Sequence, residues 1–475
     1  MKRMRLKIFM ITAFAGLVTL SGCKKFLEEK SQSDVIPKTA IDYRELLMGS
    51  GYMDNSEPMG FVYFLDDDVD LFWEYANGEA TVIGTNPAIQ YFPLFTWQPR
   101  LADRNGLGDL IAEDPGSTAY FRYYKWIMGC NAVLENIDQS IGSQQEKDRV
   151  KAEALAVRAL YYFRLVNLYG EPYTQNPQAL SIPLKLNSGI VAGSMPQATV
   201  AEVYNRVVAD LKEASRLMDA LPIVRKDYHI NQPAIHILLS RVYLYMEKWD
   251  ESRAEADKVF EQGGQIANLT GYTTTWLNYN NPEVEWLFGG NTQPNQTTYV
   301  PSIPFRATFD PKDVRINVGI QVQDRSLTPL VSKLPIGLDL AQTLRTPEAL
   351  LNRAEANVKL NNPGPALKDL NDLRRNRIIG YTDVNITDKD QLLQAIREER
   401  RKEFCFEGFR WFDLRRYGMP EITHRYQNAL GESIQEFKLA AKDPMYTLPF
   451  PNSLLIRNPE LKQNASGTMP ERVGH

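Results

Sequence analysis

The run FLDDDVDLFWEY at 64–75 sets Asp66, Asp68 and Asp70 on alternate residues, as a calcium loop sets its first three ligands. Carboxylate oxygens suit a hard cation, but the rest of the pattern fails. The sixth position is Leu71, where the loop needs glycine for its sharp turn. The twelfth is Asn77, where it needs a bidentate Glu. Capping and turn-forming carboxylates are the better reading, and no metal ligand set is assigned. Catalytic patterns are also missing. The four histidines, His229, His236, His424 and His475, form no HExxH and stand near no Ser or Cys nucleophile motif. G-x-S-x-G, the P-loop and C-x-x-C are absent. His236 falls inside an apolar helical pattern and reads as core. With 58 acidic residues, a pair suited to glycoside cleavage can always be chosen, so none has force without a known separation. The chain reads as no enzyme, and nothing in it calls for a cofactor.

Aromatic side chains are the other chemically expressive group. Residues 52–100 hold Tyr63, Phe72, Trp73, Tyr75, Tyr91, Phe92, Phe95 and Trp97. Residues 263–305 hold Tyr272, Trp276, Tyr279, Trp286, Tyr299 and Phe305. Aromatic faces suit the apolar C–H faces of sugar rings, and Asn77, Asn86, Gln90 and Gln98 could bond the hydroxyls. The same surface would also hold a peptide. The competing role for each ring is to pack its loop onto the scaffold. Trp286, in the alternating EVEWLFGG, reads as core, and Trp97 and Trp276 are open between the two roles. Trp73 and Tyr75 flank the turn signal Asn77-Gly78 and are the expected exposed pair. The expected ligand-binding set is Trp73, Tyr75, Asn77, Trp97 and Tyr299.

The segment REERRKEFCFEGFRWFDLRRYG at 397–418 interleaves seven basic residues with six aromatics, a pattern seen on nucleic-acid surfaces. Two features exclude nucleic acid. The first is the amino terminus. Lys2, Arg3, Arg5 and Lys7 precede a 13-residue apolar run, Ile8 to Leu20, and then Ser21, Gly22 and Cys23. That run is too short to span a bilayer, which takes about 20 residues. It reads as a secretory signal, 1–22, removed from the mature chain. The second is charge. Cleavage removes four basic residues and takes the net charge from −4 to −8, which gives phosphate backbones little general attraction.

Helical periodicity positions these groups. Ala154, Val157, Tyr161, Leu165 and Leu168 make one apolar face, and Ile235, Leu238, Val242 and Tyr245 another. Helices are also expected over 120–137, 199–218, 250–262, 346–360, 364–377 and 389–407. Segments 241–260 and 354–373 each read as helix, short break and alanine-bearing helix, similar to tetratricopeptide units. More than 90 residues separate them, so a regular solenoid is excluded. Helix pairs interrupted by insertions at 52–116, 171–198, 263–345 and 419–475 fit better, and binding residues tend to lie on such loops. Strands are expected to be few and short. Cys130 and Cys405 are left by this scheme. Two buried thiols fit better than a disulfide, because nothing else in the chain is built around disulfides.

Within 397–418, Glu398 with Lys402 and Arg400 with Glu403 have the spacing of helical ion pairs. The neighbouring phenylalanines imply burial, so Arg410, Arg415 and Arg416 must find carboxylates, such as Glu407 and Asp413, or helix carbonyls. The segment reads as a fold-locking network and not as a ligand site.

This segment resembles the hallmark of the SusD/RagB family. Residues 345–377, 151–173 and the ending LPFPNSLLIRNPELKQN at 448–464 resemble other parts of the same family, and Leu20-Ser21-Gly22-Cys23 resembles a bacterial lipobox. The resemblance implies a mainly α fold, with tetratricopeptide-like helix pairs as scaffold for long loop insertions, in a single domain 23–475. It implies acylation of Cys23 and a lipid-anchored place on the cell surface at the outer membrane. It implies a non-catalytic role: capture of a glycan or oligosaccharide for a SusC-like TonB-dependent transporter, with peptide capture as the RagB-like alternative. Loops near 70–100 and 270–320 would supply the ligand contacts.

Overall fold

Helix starts are written into the sequence as caps. Ser143 and Thr199 each form a reciprocal capping box with Glu146 and Glu202, and Asn231 and Asp388 accept from the backbone three residues on. The α-helices of seven or more residues among the described residues of this computed structural model are α1 (Ala40–Leu46), α2 (Ala119–Asn136), α3 (Gln144–Tyr169), α4 (Val200–Met218), α5 (Gln232–Tyr245), α6 (Trp249–Glu261), α7 (Thr346–Lys359), α8 (Pro363–Arg375), α9 (Lys389–Glu403) and α10 (Arg410–Arg416). The structure describes residues 37–54, 58–71, 74–76, 79–81, 91–103, 118–190, 193–272, 276–290, 299–322, 329–331, 342–428 and 432–475. The signal segment and Cys23 lie outside them. Residues 39–475 form one compact unit.

The expected helices are present, and the fold is mainly α. The one large boundary difference is α9, which ends at Glu403 and not near 407. Phe406 and Gly408 take φ of 58° and 77°, which no helix accommodates, so the chain turns before restarting as α10. The apolar face expected on α3 is buried, but so is nearly everything from Ala152 to Tyr169, because α2 and α4 cover it from two sides. α5 is likewise buried along its whole length.

The helix pairs explain the scaffold. Between α5 and α6, Ser240 and Ser252 exchange hydroxyl-to-carbonyl bonds of 2.8 and 2.9 Å, which only small side chains permit. Both pairs turn through a left-handed residue, Glu247 (φ 56°) in one and Asn361 (φ 64°) in the other. α6 packs on α7, so the two pairs are adjacent in space although far apart in sequence. Arg353 of α7 binds Asp257 of α6 at 3.0 Å and Asp369 of α8 at 2.8 Å. Arg241 of α5 binds Glu348 of α7 at 2.5 Å. The 263–345 insertion therefore leaves and re-enters a continuous helical stack.

His236 is core, as its pattern implied, but it is not an apolar filler. Its Nδ1 lies 2.6 Å from Glu255 and its Nε2 3.1 Å from Asp219. Burial alone would lower its pKa; the two carboxylates outweigh burial and raise it. Cys130 and Cys405 are both buried with no disulfide between them, and burial pushes the Cys130 thiol up to about 12.

Strands are short and pair in twos. They are β1 (Val69–Leu71), β2 (Glu74–Ala76), β3 (Glu79–Thr81), β4 (Val284–Phe288), β5 (Tyr299–Pro301), β6 (Ile320–Val322), β7 (Pro329–Val331), β8 (Gln342–Arg345), β9 (Ile422–Tyr426) and β10 (Gln435–Leu439). β1 pairs with β5, β2 with β3, β4 with β8, β6 with β7 and β9 with β10, all antiparallel.

One contact in this scaffold depends on a missing side chain. A Cβ on Gly129 of α2 would stand 2.1 Å from the Ser50 carbonyl oxygen, closer than any real contact allows. Gly129→Ala is expected to destabilise the protein by at least about 1–3 kcal/mol, the cost of overpacking a close-packed interior. Urea unfolding measures it; an unchanged midpoint would show that the helix and the Leu47–Gly51 turn separate freely.

Candidate functional site

Two aromatic-rich insertions are joined by a pair of strands. β1 lies in the 52–116 insertion and β5 in the 263–345 insertion, with Val69 opposite Pro301 and Leu71 opposite Tyr299. The Ser302 amide donates to the Asp68 carbonyl at 2.8 Å and its hydroxyl to the Asp67 carbonyl at 3.1 Å. Past Leu71, β2 and β3 form a hairpin with Tyr75 opposite Ala80. The backbone thus brings the strands carrying Tyr75 and Tyr299 to one region. Trp73 and Asn77 lie outside the described residues.

Trp97 is a correction. It is 0% exposed, its indole donates to the Leu65 carbonyl at 3.0 Å, and its ring stacks on His424 at 4.0 Å. Phe95 stacks on the other side of that imidazole at 4.1 Å. Trp97 therefore belongs to the support beneath the loops and has no face for a ligand. His424 directs its ring nitrogens at the carbonyls of Phe95 (2.7 Å) and Asp66 (2.8 Å). A neutral ring can donate to only one of the two. Burial nevertheless dominates and pushes its pKa down to about 4.

The acidic run ahead of β1 is spent on arginines. Asp66 accepts from the Asp68 amide at 2.9 Å, which makes a tight turn. Asp67 takes Arg410 in a two-pronged bond, 2.6 and 2.8 Å, and also Arg401 at 3.2 Å. Asp68 takes Arg401 at 2.6 Å. Burial raises the Asp67 pKa, but the Arg410 and Arg401 guanidinium groups together more than reverse this and hold it low. For Asp68 burial wins over Arg401, and the pKa is pushed up to about 6. The carboxylates at 66–68 cluster closely enough to suggest a cation site. Two of the three are already bonded to guanidinium groups from the 397–418 segment.

That segment is a buried network, with partners other than those the spacing suggested. Lys402 meets Glu399 at 3.4 Å, not Glu398. Arg400 reaches Asp413 at 3.0 Å and Asn352 at 2.8 Å, not Glu403. Glu403 sits at the centre: it accepts from Arg315 at 2.8 Å, from Arg377 at 3.0 Å, and from Arg345. Glu399 holds Arg315 at 2.5 Å and Arg374 at 2.7 Å. Arg377 continues to Glu283 at 2.6 Å. Of the carboxylates expected for the late arginines, Asp413 receives Arg416 at 2.8 Å, while Glu407 instead receives Arg345 at 2.9 Å. Arg416 also grips Glu355 at 2.8 Å. Arg410 leaves the segment for Asp67. Arg415 has carbonyls only, those of Tyr446 at 2.6 Å, Asn167 and Gly170. Without a carboxylate, burial lowers its pKa to about 10. Two of these pairs, Lys402 with Glu399 and Arg416 with Asp413, have helical i,i+3 spacing; the others could not be found that way, since their guanidinium groups reach across elements rather than along one helix.

The helical-pair scaffold thus carries two loop insertions joined through the β1–β5 pair. Residues 340–467 match the SusD family, and residues 87–244 match a SusD-like family described as starch-binding, associating with the outer membrane. A SusD-like protein of Formosa agariphila is 23% identical across 97% of this chain and the whole of its own length. A second from the same organism is 22% identical over 63% of this chain and 72% of its own. A SusD superfamily protein of Bacteroides thetaiotaomicron superposes with a TM-score of 0.71 at 24% identity, covering 90% of this chain and 99% of its own. A SusD-like carbohydrate binding protein of Bacteroides vulgatus gives 0.69 at 21% identity, covering 89% and 97%. The chain belongs to the SusD/RagB family. No helix among the described residues is long and apolar enough to cross a membrane.

Two expectations follow from the network. Glu403→Gln leaves three buried guanidinium groups short of a charge and should cost roughly 3–5 kcal/mol, the range for breaking a buried ion pair. A urea midpoint within error of wild type would overturn the central role given to Glu403. Acid should act in the same way. Burial raises the pKa of Glu355 and Glu399, but their arginines more than offset it; Glu355 falls to about 2 and Glu399 is also held low. Their folded pKa values lie below the unfolded value of 4.5, so their stabilisation is complete above about pH 4.5 and is lost as pH falls towards 2. Unfolding free energies at pH 7, 4.5 and 3 should drop mainly over the last interval.

Proposed function

We propose that this protein is a non-catalytic, lipid-anchored capture subunit. On this reading, cleavage before Cys23 leaves one domain, 23–475, held at the outer face of the outer membrane by acyl chains on Cys23. Several chains anchor firmly, because each buried CH₂ contributes about 0.8 kcal/mol. The domain binds a glycan or oligosaccharide and passes it to a SusC-like TonB-dependent transporter. The observation that carries the reading is the β1–β5 pairing, which ties two aromatic-rich insertions into one surface above the arginine network. The family's description as starch-binding and outer-membrane-associated supports the ligand class and the location. The nearby acids support a binding role over hydrolysis: Asp67 and Asp68 are engaged by arginines rather than presented as a pair. Trp73, Tyr75, Asn77 and Tyr299 are the proposed contacts; Trp97 is not among them.

A soluble protein comprising residues 24–475, titrated calorimetrically against polysaccharides, oligosaccharides and peptide mixtures, tests this. Saturable heat with one glycan class, lost in Trp73→Ala or Tyr75→Ala, is the expected result. Saturable heat with peptides alone would replace glycan with peptide as the cargo. Cys23→Ser in the full chain should abolish palmitate labelling and release the protein from membranes; retention would overturn the anchor.

A further inference from the structure

The connection between α4 and α5 turns an apolar edge outward. Ile223, Val224, Lys226 and Tyr228 are all exposed, Tyr228 by 49%. An exposed apolar loop is ordinarily loose, but this one is held at many points. Arg149 donates to the Pro222 carbonyl at 3.0 Å and Gln232 to the Leu221 carbonyl at 2.9 Å. Arg225 binds Glu285 at 2.7 Å and the Gln262 carbonyl at 2.7 Å. The Trp286 indole donates to the Tyr228 carbonyl at 3.1 Å. The Tyr52 hydroxyl accepts from the Ile230 amide at 3.2 Å. Within this frame, Lys226 and Tyr228 take φ of 66° and 64°, a conformation unfavourable to side chains with a Cβ. Such strain persists only where the surroundings impose it, and it concentrates at functional positions.

The strained backbone points Tyr228 to solvent beside Tyr279 of the 263–345 insertion, with ring centres 4.8 Å apart and planes at 75°. Tyr279 is fixed at its far end: its hydroxyl donates to the Leu287 carbonyl at 3.3 Å and accepts from the Leu287 amide at 3.2 Å. The Tyr228 hydroxyl makes no such bond among the described residues. Next to the rings in sequence are Asp227, half-exposed and paired with Arg44 at 3.5 Å, and the exposed residues Lys226 and Asn280. A rigid aromatic corner with a mixed polar rim fits a pyranose ring, which offers a C–H face for stacking and hydroxyls for the rim. Rigidity matters here, because a pre-set loop loses little freedom on binding.

We propose that Tyr228 and Tyr279 form an additional carbohydrate-binding surface, taking one sugar unit of a polymer, built where the α4–α5 connection meets the start of the 263–345 insertion and on residues other than those proposed at β1–β5. The inference rests on the carbohydrate reading of the function. Native gels cast with amylopectin, xylan, mixed-linkage glucan, galactomannan or pectin test it on the 24–475 protein. The polysaccharide that retards wild type should bind Tyr228→Ala about tenfold more weakly, the ratio that corresponds to 1.4 kcal/mol. Tyr228→Phe should keep the affinity, since stacking needs only the ring. Tyr228→Phe should leave the melting temperature unchanged, because it keeps the ring against Tyr279, and Tyr228→Ala should lower it only slightly while the protein stays folded. Nitration of Tyr228, read by mass spectrometry, should slow severalfold in the presence of that polysaccharide. Unchanged retardation of Tyr228→Ala together with unprotected nitration overturns this surface and leaves the capture reading standing. A wild type retarded by no polysaccharide and bound only by peptides overturns both.

Discussion

The carboxylate of Glu403 is where the fold converges. It lies at the last turn of α9 with no exposure and accepts from three arginines that come from three separate segments. Buried guanidinium groups are costly unless each is matched by charge and by geometry. Arg315, Arg345 and Arg377 meet that condition only while Glu403, Glu399, Glu407, Asp313 and Glu283 are in place. Three arginines of differing chain origin fix the relative position of the helical stack and the re-entry of the 263–345 insertion more tightly than apolar contact would, because hydrogen bonds specify direction. Arg415 shows the other solution, a cation held by carbonyl dipoles alone, and its lowered pKa records the weaker compensation.

The same network extends upward to the loops. Arg401 and Arg410 grip Asp67 and Asp68, the residues immediately before β1, and Ser302 fastens the other insertion to the same two residues through their carbonyls. The 397–418 segment therefore sets where the loops begin, while the proposed ligand contacts lie farther along the loops. That division allows the tips to vary freely in sequence while their bases stay in register.

Much of this was legible from the residues. Helical periodicity located the helices closely, and the mixture of arginines and phenylalanines in 397–418 announced a buried ionic network. Asp413 for Arg416 and helix carbonyls for Arg415 were legible; the long-range partners were not, because a guanidinium reaches across elements and its acceptor carries no local signal: nothing near Arg410 in sequence points to Asp67. Trp97 was unreadable for a related reason. An aromatic in a loop looks alike whether it faces ligand or floor, and only the stacking of Trp97 on His424 decides. Lys226 and Tyr228 gave no warning either, since neither is a residue type that favours a left-handed backbone.

The bonds that hold the loop bases join the two ends of the chain. Asp67 and Arg410 are 343 residues apart, and the Arg472 amide donates to Gln98 across 374. The Leu448 amide reaches back to the Leu168 carbonyl, and Asn464 to Tyr169. Closing such spans costs chain entropy before any contact repays it, and contacts of this range slow folding. The helical pairs can form as soon as their residues emerge, but the loop bases have to wait for almost the last part of the chain to be made. A chain lacking its final segment would therefore lose the bonds from Leu448, Asn464 and Arg472 that reach back to the end of α3 and to the 52–116 insertion.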